Sequence, residues 1–283
     1  MAVSIIPLHD VKKGRKIALG GVAGVLALVF LAFGAPALLA PWKIVPLAIS
    51  PASVTYTPEL HRWHDAVGGT LASIVLAGTL LGLVWQGQRR LVLAQFFTLS
   101  ALIFALTMLL FAFTRPMNYL FPAVILAVFL LAYPAPRELL TFKREELSLP
   151  LLALSAVVLL ALAPNIWQNV ELQLTDKASE HAQNLHWIST ALLEGLLLLA
   201  GFLAALKRPG WRMLSGITGI ALVYLGAAAQ TVPTHPGSWG TIGGALALLG
   251  GLAYLVITML EKQSQASQQE QPQVPAQKVG VGV

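Results

Sequence analysis

Long apolar runs, separated by short polar segments, dominate the chain. A helix needs roughly 20 apolar residues to cross about 30 Å of hydrocarbon. Runs of about this length cover residues 17–41, 66–86, 91–113, 118–135, 149–164, 187–206, 212–230 and 239–260. The fourth and fifth runs are shorter and have prolines at their ends. The pattern predicts an all-α, polytopic membrane protein with eight transmembrane helices.

Composition strengthens the membrane prediction. Hydrophobic residues make up 57% of the chain and charged residues only 11%, and the mean hydropathy is +0.74. A soluble domain needs more polar surface than this. The net charge of +6 does not indicate nucleic acid as a partner, because most basic residues sit in short runs between apolar segments.

The chain contains no cysteine. Disulfides, thiolate catalysis and cysteine-ligated zinc or iron–sulfur clusters are therefore excluded. A metal site would have to use histidine and carboxylate ligands.

Basic residues predict the orientation in the membrane. With eight spans, 14 of the 18 lysine and arginine residues fall on the side that carries both termini. Positive charge concentrates on the cytoplasmic side, so we expect a multi-pass cell-membrane protein with both termini cytoplasmic and the lipid bilayer as its main partner. Tryptophans are expected to anchor the two interfaces. On the outer side these are Trp42, Trp63, Trp167, Trp187 and Trp239, and on the inner side Trp85 and Trp211.

The two ends of the chain differ from its apolar body. Residues 1–16 are predicted to be a cytoplasmic segment. The first apolar run ends in small residues, as a cleaved signal peptide does, but its apolar part of about 24 residues favours an uncleaved helix. Residues 263–283 are polar and predict a disordered cytoplasmic tail.

The two halves of the chain repeat. Matched positions lie 120 to 123 residues apart, and they include Ala40-Pro41 with Ala163-Pro164, His64 with His186, and Arg115 with His235. Four helices per copy place both copies in the same orientation, related by an axis along the membrane normal. We expect two tandem four-helix bundles, residues 17–139 and 140–262.

Histidines gather on the predicted outer side. Five of the six fall there, at or near helix mouths: His61, His64, His181, His186 and His235. Imidazoles from adjacent helices could converge on one metal or haem iron, with His64, His186 and His235 as the candidate ligands. His61 shares a helix face with His64 if that segment is helical. The alternative is that these are ordinary polar residues at an interface where polarity is allowed.

Two charged residues are further candidates for the cofactor site. Glu194 is the only acid inside a predicted span, and an ionisable group there is costly unless it faces the bundle interior or pairs. It is a functional candidate or, alternatively, a protonated side chain bonded to a neighbouring helix. Arg115 could pair with Asp65 or Glu59, bind an anionic group of a cofactor, or snorkel to the interface. The glycine pairs Gly68-Gly69, Gly243-Gly244 and Gly250-Gly251 predict close helix packing.

The segment Glu59-Leu-His61-Arg62, entering the second helix, resembles the Glu-x-x-His-Arg motif of the heme A synthase family, shortened by one residue. The eight-helix duplication and the outer histidines of the second and sixth helices are also similar to that family. The resemblance implies that Glu59, His61 and Arg62 flank a substrate haem as catalytic residues, that His186 helps to ligate a second haem, and that the protein serves haem modification or cytochrome oxidase assembly. The family has further histidines within its fourth and eighth helices. Here the fourth run has none, and His235 precedes the eighth.

Two other function classes stay open from the sequence, which does not decide whether the protein is an enzyme. A transporter would rock its two repeats around a midplane site containing Glu194. A non-catalytic subunit or assembly factor would bind another membrane protein complex. Nucleotide-binding and hydrolase motifs are absent from the sequence.

Overall fold

The computed structural model describes residues 13–42, 58–86, 91–142 and 146–270, and the regular elements in these ranges are all helical. This confirms the all-α prediction. The α-helices are α1 Lys13–Gly34, α2 Pro58–Gly69, α3 Ala77–Gln86, α4 Leu91–Phe111, α5 Pro116–Ala132, α6 Leu149–Thr175, α7 Glu180–Gln183, α8 His186–Ala205, α9 Trp211–Thr231 and α10 Gly240–Glu270. A π-helical segment, Thr70–Leu76, joins α2 to α3, and 3-10 turns cover Pro36–Trp42 and Pro136–Leu140.

Seven helical segments in the described ranges are long and apolar enough to cross a membrane. They are Gly14–Trp42, Leu60–Trp85, Leu91–Phe111, Leu149–Thr175, His186–Ala205, Trp211–Thr231 and Gly240–Glu261. The region predicted as the fourth span contains α5, an apolar helix of 17 residues that is shorter than these seven. The chain is thus a multi-pass membrane protein by the length and composition of its helices.

The spans divide into central and peripheral helices. In the most apolar stretch of the span His186–Ala205, 78% of the residues are buried, whereas in that of Leu149–Thr175 only 17% are buried. Helices α2, α3 and α4 pack against α8 and α9 across the centre. Helices α1 and α5 pack outside the first group, and α6 and α10 outside the second.

Small residues allow the helices of the second half to approach closely. A β-carbon at Gly226 would lie 2.7 Å from the carbonyl oxygen of Gly244, and one at Gly219 would lie 2.9 Å from that of Gly251. Any larger residue would push α9 and α10 apart. The packing role predicted for the glycine pairs of the eighth span is confirmed.

Two helices extend beyond their predicted limits. Helix α6 continues through Pro164 to Thr175. Proline removes one backbone bond, but the buried Asn169 and Gln173 continue the packed face beyond it. Helix α2 begins at Pro58, so the polar motif before residue 66 is helical and its histidines lie on the bundle rather than in a loop.

The ends of the chain are only partly covered. Residues 1–12, within the predicted cytoplasmic segment, lie outside the described residues, as do 271–283 of the predicted disordered tail. The backbone of α10 continues through the first part of that tail, to Glu270.

Candidate functional site

Four histidine rings pack together at one end of the central helices. We call His61, His64, His181 and His186 the histidine cluster. Their ring centroids lie 4.5 to 6.3 Å apart. His64 stacks on His186 at 4.9 Å with the planes 16° apart, and His61 stacks on His181 at 4.7 Å. The cluster therefore consists of two stacked pairs that cross each other edge to face.

Two different local structures bring these rings together. His61 and His64 lie three residues apart on α2, a spacing that puts both on one helix face. In the other half, Leu185 has a left-handed backbone with φ of 61° and separates the short α7 from α8. This break places His181 and His186 on different helices, so that both reach the α2 pair.

Hydrogen bonds orient two of the rings. Thr190 Oγ1 donates to the carbonyl oxygen of His186 at 3.0 Å and lies 3.2 Å from His64 Nδ1. A hydroxyl has one proton, so a Thr190 that donates to His186 accepts from His64 Nδ1. His181 bonds to the backbone of Leu60, and its Nε2 is the nitrogen that has no partner among the described residues. Both rings then carry their lone pair on Nε2.

Within the described part of the chain, three buried nitrogens of the cluster have no hydrogen-bond partner: His64 Nε2, His181 Nε2 and His186 Nδ1. A buried polar atom left without a partner costs about 1–3 kcal/mol. Burial and the neighbouring His61 lower the pKa of His181 below its ordinary value. The cluster thus combines closely packed imidazoles with unused lone pairs.

The rings meet by their faces, not by their nitrogens. Among the described residues, no group of three or more His, Asp or Glu side chains has the arrangement of a finished metal site. Glu180 Oε1 lies 3.9 Å from His61 Nδ1. A metal would therefore require the rings to turn about their side-chain torsions.

Trp187 and the loop that contains His235 and Gly237 cover the histidine cluster. Trp187 stacks on His181 at 4.8 Å and contacts His64 edge to face. Gly237, with φ of +74°, approaches so closely that a β-carbon there would lie 3.2 Å from His64 Cε1. His235 is on the same loop, partly buried, and interacts electrostatically with His64.

Glu194 lies deeper on α8. It follows His186 by eight residues, which places it about 12 Å further along the helix. Its side chain is 1% exposed, Oε1 accepts a hydrogen bond from Trp239 Nε1 at 2.6 Å, and Oε2 has no partner within the described residues. Trp239 also packs edge to face on Trp63 at 5.4 Å. Glu194 thus links α8 to Trp239, the residue before α10, which in turn packs on Trp63 of α2.

The other predicted residues have different partners. Arg62 Nε donates to the carbonyl oxygen of Ala40 at 3.1 Å, and its Nη2 donates to that of Pro41. Arg115 is exposed at the start of α5 and donates to the carbonyl oxygen of Gln183 at 2.8 Å. Glu59 is in α2, but its side chain lies outside the described part of the chain.

Sequence reasoning named some cluster members and missed others. His64 and His186 were predicted as ligands, and His61 was placed on the helix face of His64 and in the motif resemblance but not among the ligands. His181 was noted on the outer side but not included, because nothing about a leucine at 185 indicates a left-handed turn. Thr190 gave no signal beyond its position on the helix.

Comparison with protein-family models, with curated proteins and with solved structures gives no match to this chain.

Proposed function

We propose that the protein is a membrane metalloprotein that binds one transition-metal ion at the histidine cluster. The observation that carries this proposal is the set of three buried imidazole nitrogens, within one group of four rings, that have no hydrogen-bond partner among the described residues. One cation would satisfy all three. Imidazole suits zinc, copper, nickel and iron, and the chain has no thiolate that would compete.

The spacing of the rings supports a single ion. Imidazoles bound tetrahedrally at about 2 Å have ring centroids about 5 Å apart. The observed 4.5–6.3 Å brackets that distance. Ring rotation, without separation of the helices, is therefore the movement that binding requires.

The hydrogen bonds made by the other ring nitrogens also support a metal site. Metal-bound histidines usually donate their other N–H to a carbonyl, carboxylate or hydroxyl group, which fixes the tautomer. Thr190 and the Leu60 backbone provide such partners for His64 and His181. Burial favours the neutral form that a metal needs.

Haem is the second candidate, favoured by the nearly parallel His64 and His186 rings on facing helices. Two axial imidazoles on one iron have centroids about 6 Å apart. The observed separation is 4.9 Å, and the other two rings occupy the space that a macrocycle would need. The residues as they pack do not fit a haem, so we derive no haem chemistry. Heme A synthase activity remains a proposal resting on the motif alone.

Metal binding is tested by titrating the purified, metal-free protein with Co²⁺, whose visible absorption reports tetrahedral nitrogen ligands. We expect saturation at one ion per chain, and loss of the absorption in His64→Ala and His186→Ala. The matched control is His9→Ala, which the predicted topology places on the opposite face. An unchanged titration in both cluster variants would refute the site, and a Soret band in protein from a haem-replete host would favour haem.

For the architecture we propose eight spans, with α5 as the fourth, in two tandem bundles with both termini cytoplasmic. Equivalent contacts support the duplication. Helix α1 packs on α3 as α6 packs on α8, and α4 packs on α5 as α9 packs on α10. Reporter fusions after Arg90, Arg144 and Arg208 should read cytoplasmic. A single reversed loop would contradict the eight-span topology.

A further inference from the structure

A cavity of about 550 Å³ lies between α6 and α10, and no residue of the histidine cluster lines it. Its walls are mainly apolar, contributed by residues such as Leu154, Val158 and Leu246. From Leu154 to Gln168 the lining follows α6 for about 21 Å at the helical rise of 1.5 Å per residue. Its volume is typical of sites for small organic ligands.

The cavity is polar at one end only. Asn165, Gln168, Ser238 and Trp239 line that end. The Asn165 Oδ1 atom already accepts from Asn169 Nδ2 at 2.7 Å, and Ser238 Oγ accepts from the Gly240 backbone at 3.3 Å. The amide N–H groups of Asn165 and Gln168 and the hydroxyl of Ser238 can donate hydrogen bonds to a ligand here. They fit a ligand that offers carbonyl oxygens.

The lack of charged lining residues and the peripheral position of the cavity limit which ligands it can bind. No charged residue is among the lining residues in the described chain, so a phosphate-bearing headgroup would have no cation to meet. The indole of Trp239 provides a flat surface beside the donors, which favours a planar ring. Both α6 and α10 are peripheral spans with much of their surface exposed, so a ligand can enter from the lipid.

We propose that this cavity binds an isoprenoid quinone, with the carbonyl-bearing ring at Asn165, Ser238 and Trp239 and the chain along α6. Trp239 joins the cavity to the centre of the protein, because its N–H donates to Glu194 and its ring packs on Trp63, the neighbour of His64. Gly237 and Gly240, with φ of +74° and +65°, flank Ser238 and Trp239 and allow the loop that carries them to turn. The inference goes beyond the metal site and does not rest on it.

The test is quinone binding by the full-length protein in phosphatidylcholine nanodiscs. Titration with decyl-benzoquinone should quench tryptophan fluorescence saturably, with a smaller amplitude in Trp239→Phe. Gly250→Phe fills the cavity, since a β-carbon at Gly250 meets only Val158 Cγ2, at 3.9 Å. We expect this variant to weaken binding at least about tenfold.

The matched control is Leu252→Phe, an exposed position on α10 that does not line the cavity. It should bind as the wild type does. Asn165→Leu should weaken binding because it removes a donor, and His186→Ala should retain quinone binding even if it loses metal. Equal or non-saturable quenching in wild type and Gly250→Phe would overturn the proposal. So would mass spectrometry that finds a stoichiometric phospholipid which the quinone does not displace.

Discussion

The two ends of the central helices both bury polar side chains, but these side chains differ in how fully they are hydrogen-bonded. At the basic end, Arg208 is 4% exposed and donates from Nη1 to Gln95 Oε1 and to the carbonyl oxygen of Thr141. We call these three residues the Arg208 network. At the other end, the histidine cluster has three buried nitrogens without a hydrogen-bond partner in the part of the chain that the structure describes. Polar groups that bond to one another stabilise a fold, whereas partnerless ones at close spacing indicate a place for a ligand.

The largest expected effect is at the basic end. Arg208→Ala removes the charge-assisted hydrogen bonds that the guanidinium donates to Gln95 and Thr141 and leaves these residues without this partner. With about 1.5–3 kcal/mol per bond to a charged group, we expect a loss of at least about 3 kcal/mol of folding free energy. Thermal unfolding in detergent measures it.

Arg137→Ala is the matched control, because Arg137 is exposed and its loss should change stability little. A stability of Arg208→Ala equal to that of Arg137→Ala would mean that the network does not stabilise the fold. The comparison between the two ends would then fail.

The second largest effect is expected at the histidine cluster. In the metal-free protein, the change in folding stability there should be opposite in sign to that of Arg208→Ala. His64→Leu removes a partnerless buried nitrogen, so the metal-free fold should be unchanged or stabilised by about 1 kcal/mol. Metal affinity should fall by at least about 100-fold, because a ligand is lost. Unfolding curves with and without Co²⁺ separate the two effects.

The decisive observation is the sign of the change without metal. A strong destabilisation of the metal-free protein by His64→Leu would show that the cluster is a packing device like the Arg208 network. It would remove the reason for proposing a ligand.

A smaller effect is expected from Thr190→Val, which keeps the shape but loses the group that orients His64 Nδ1. Partners behind metal ligands are worth about 10- to 100-fold in affinity, and we expect the lower value. Thr218→Val is the control, since Thr218 is also buried but bonds to the Leu214 carbonyl of its own helix. Co²⁺ titration of both variants measures the difference, and equal affinities would remove Thr190 from the site.

The smallest effect is the pH dependence, which should run in opposite directions at the two ends. Burial and His61 lower the pKa of His181, so below about pH 6.5 the unfolded chain binds the proton more readily and stability falls with acid. Burial alone would lower the pKa of Lys207, but bonds to Glu261 and Glu146 outweigh it and raise the pKa. Stability from Lys207 should therefore be lost as the pH rises above about 10.5.

His181→Gln should flatten the acid limb of the metal-free protein and leave the alkaline limb unchanged. Lys207→Gln should do the reverse. Urea unfolding at a series of pH values measures both slopes, and an acid limb unaffected by His181→Gln would show that another group controls it.

The sequence predicted the helices well because hydropathy is a local property of the chain. It predicted the tryptophans less well. Trp85 is 82% exposed, as expected of an interface anchor, but Trp63 is fully buried against Trp239. The sites of Trp63 and His181 depend on which helices pack together and on the backbone turn at Leu185. The sequence immediately around Trp63 and His181 indicates neither the helix packing nor this turn.

The break at Leu185 also has a kinetic consequence. Helix α7 has only four residues, too few to be stable without its surroundings, and it is attached to α8 by a leucine in a conformation that costs energy. Local unfolding of such a segment needs far less free energy than global unfolding. An ion held by the cluster would therefore exchange with the outside at the rate at which α7 lifts His181 away, while the membrane helices stay assembled.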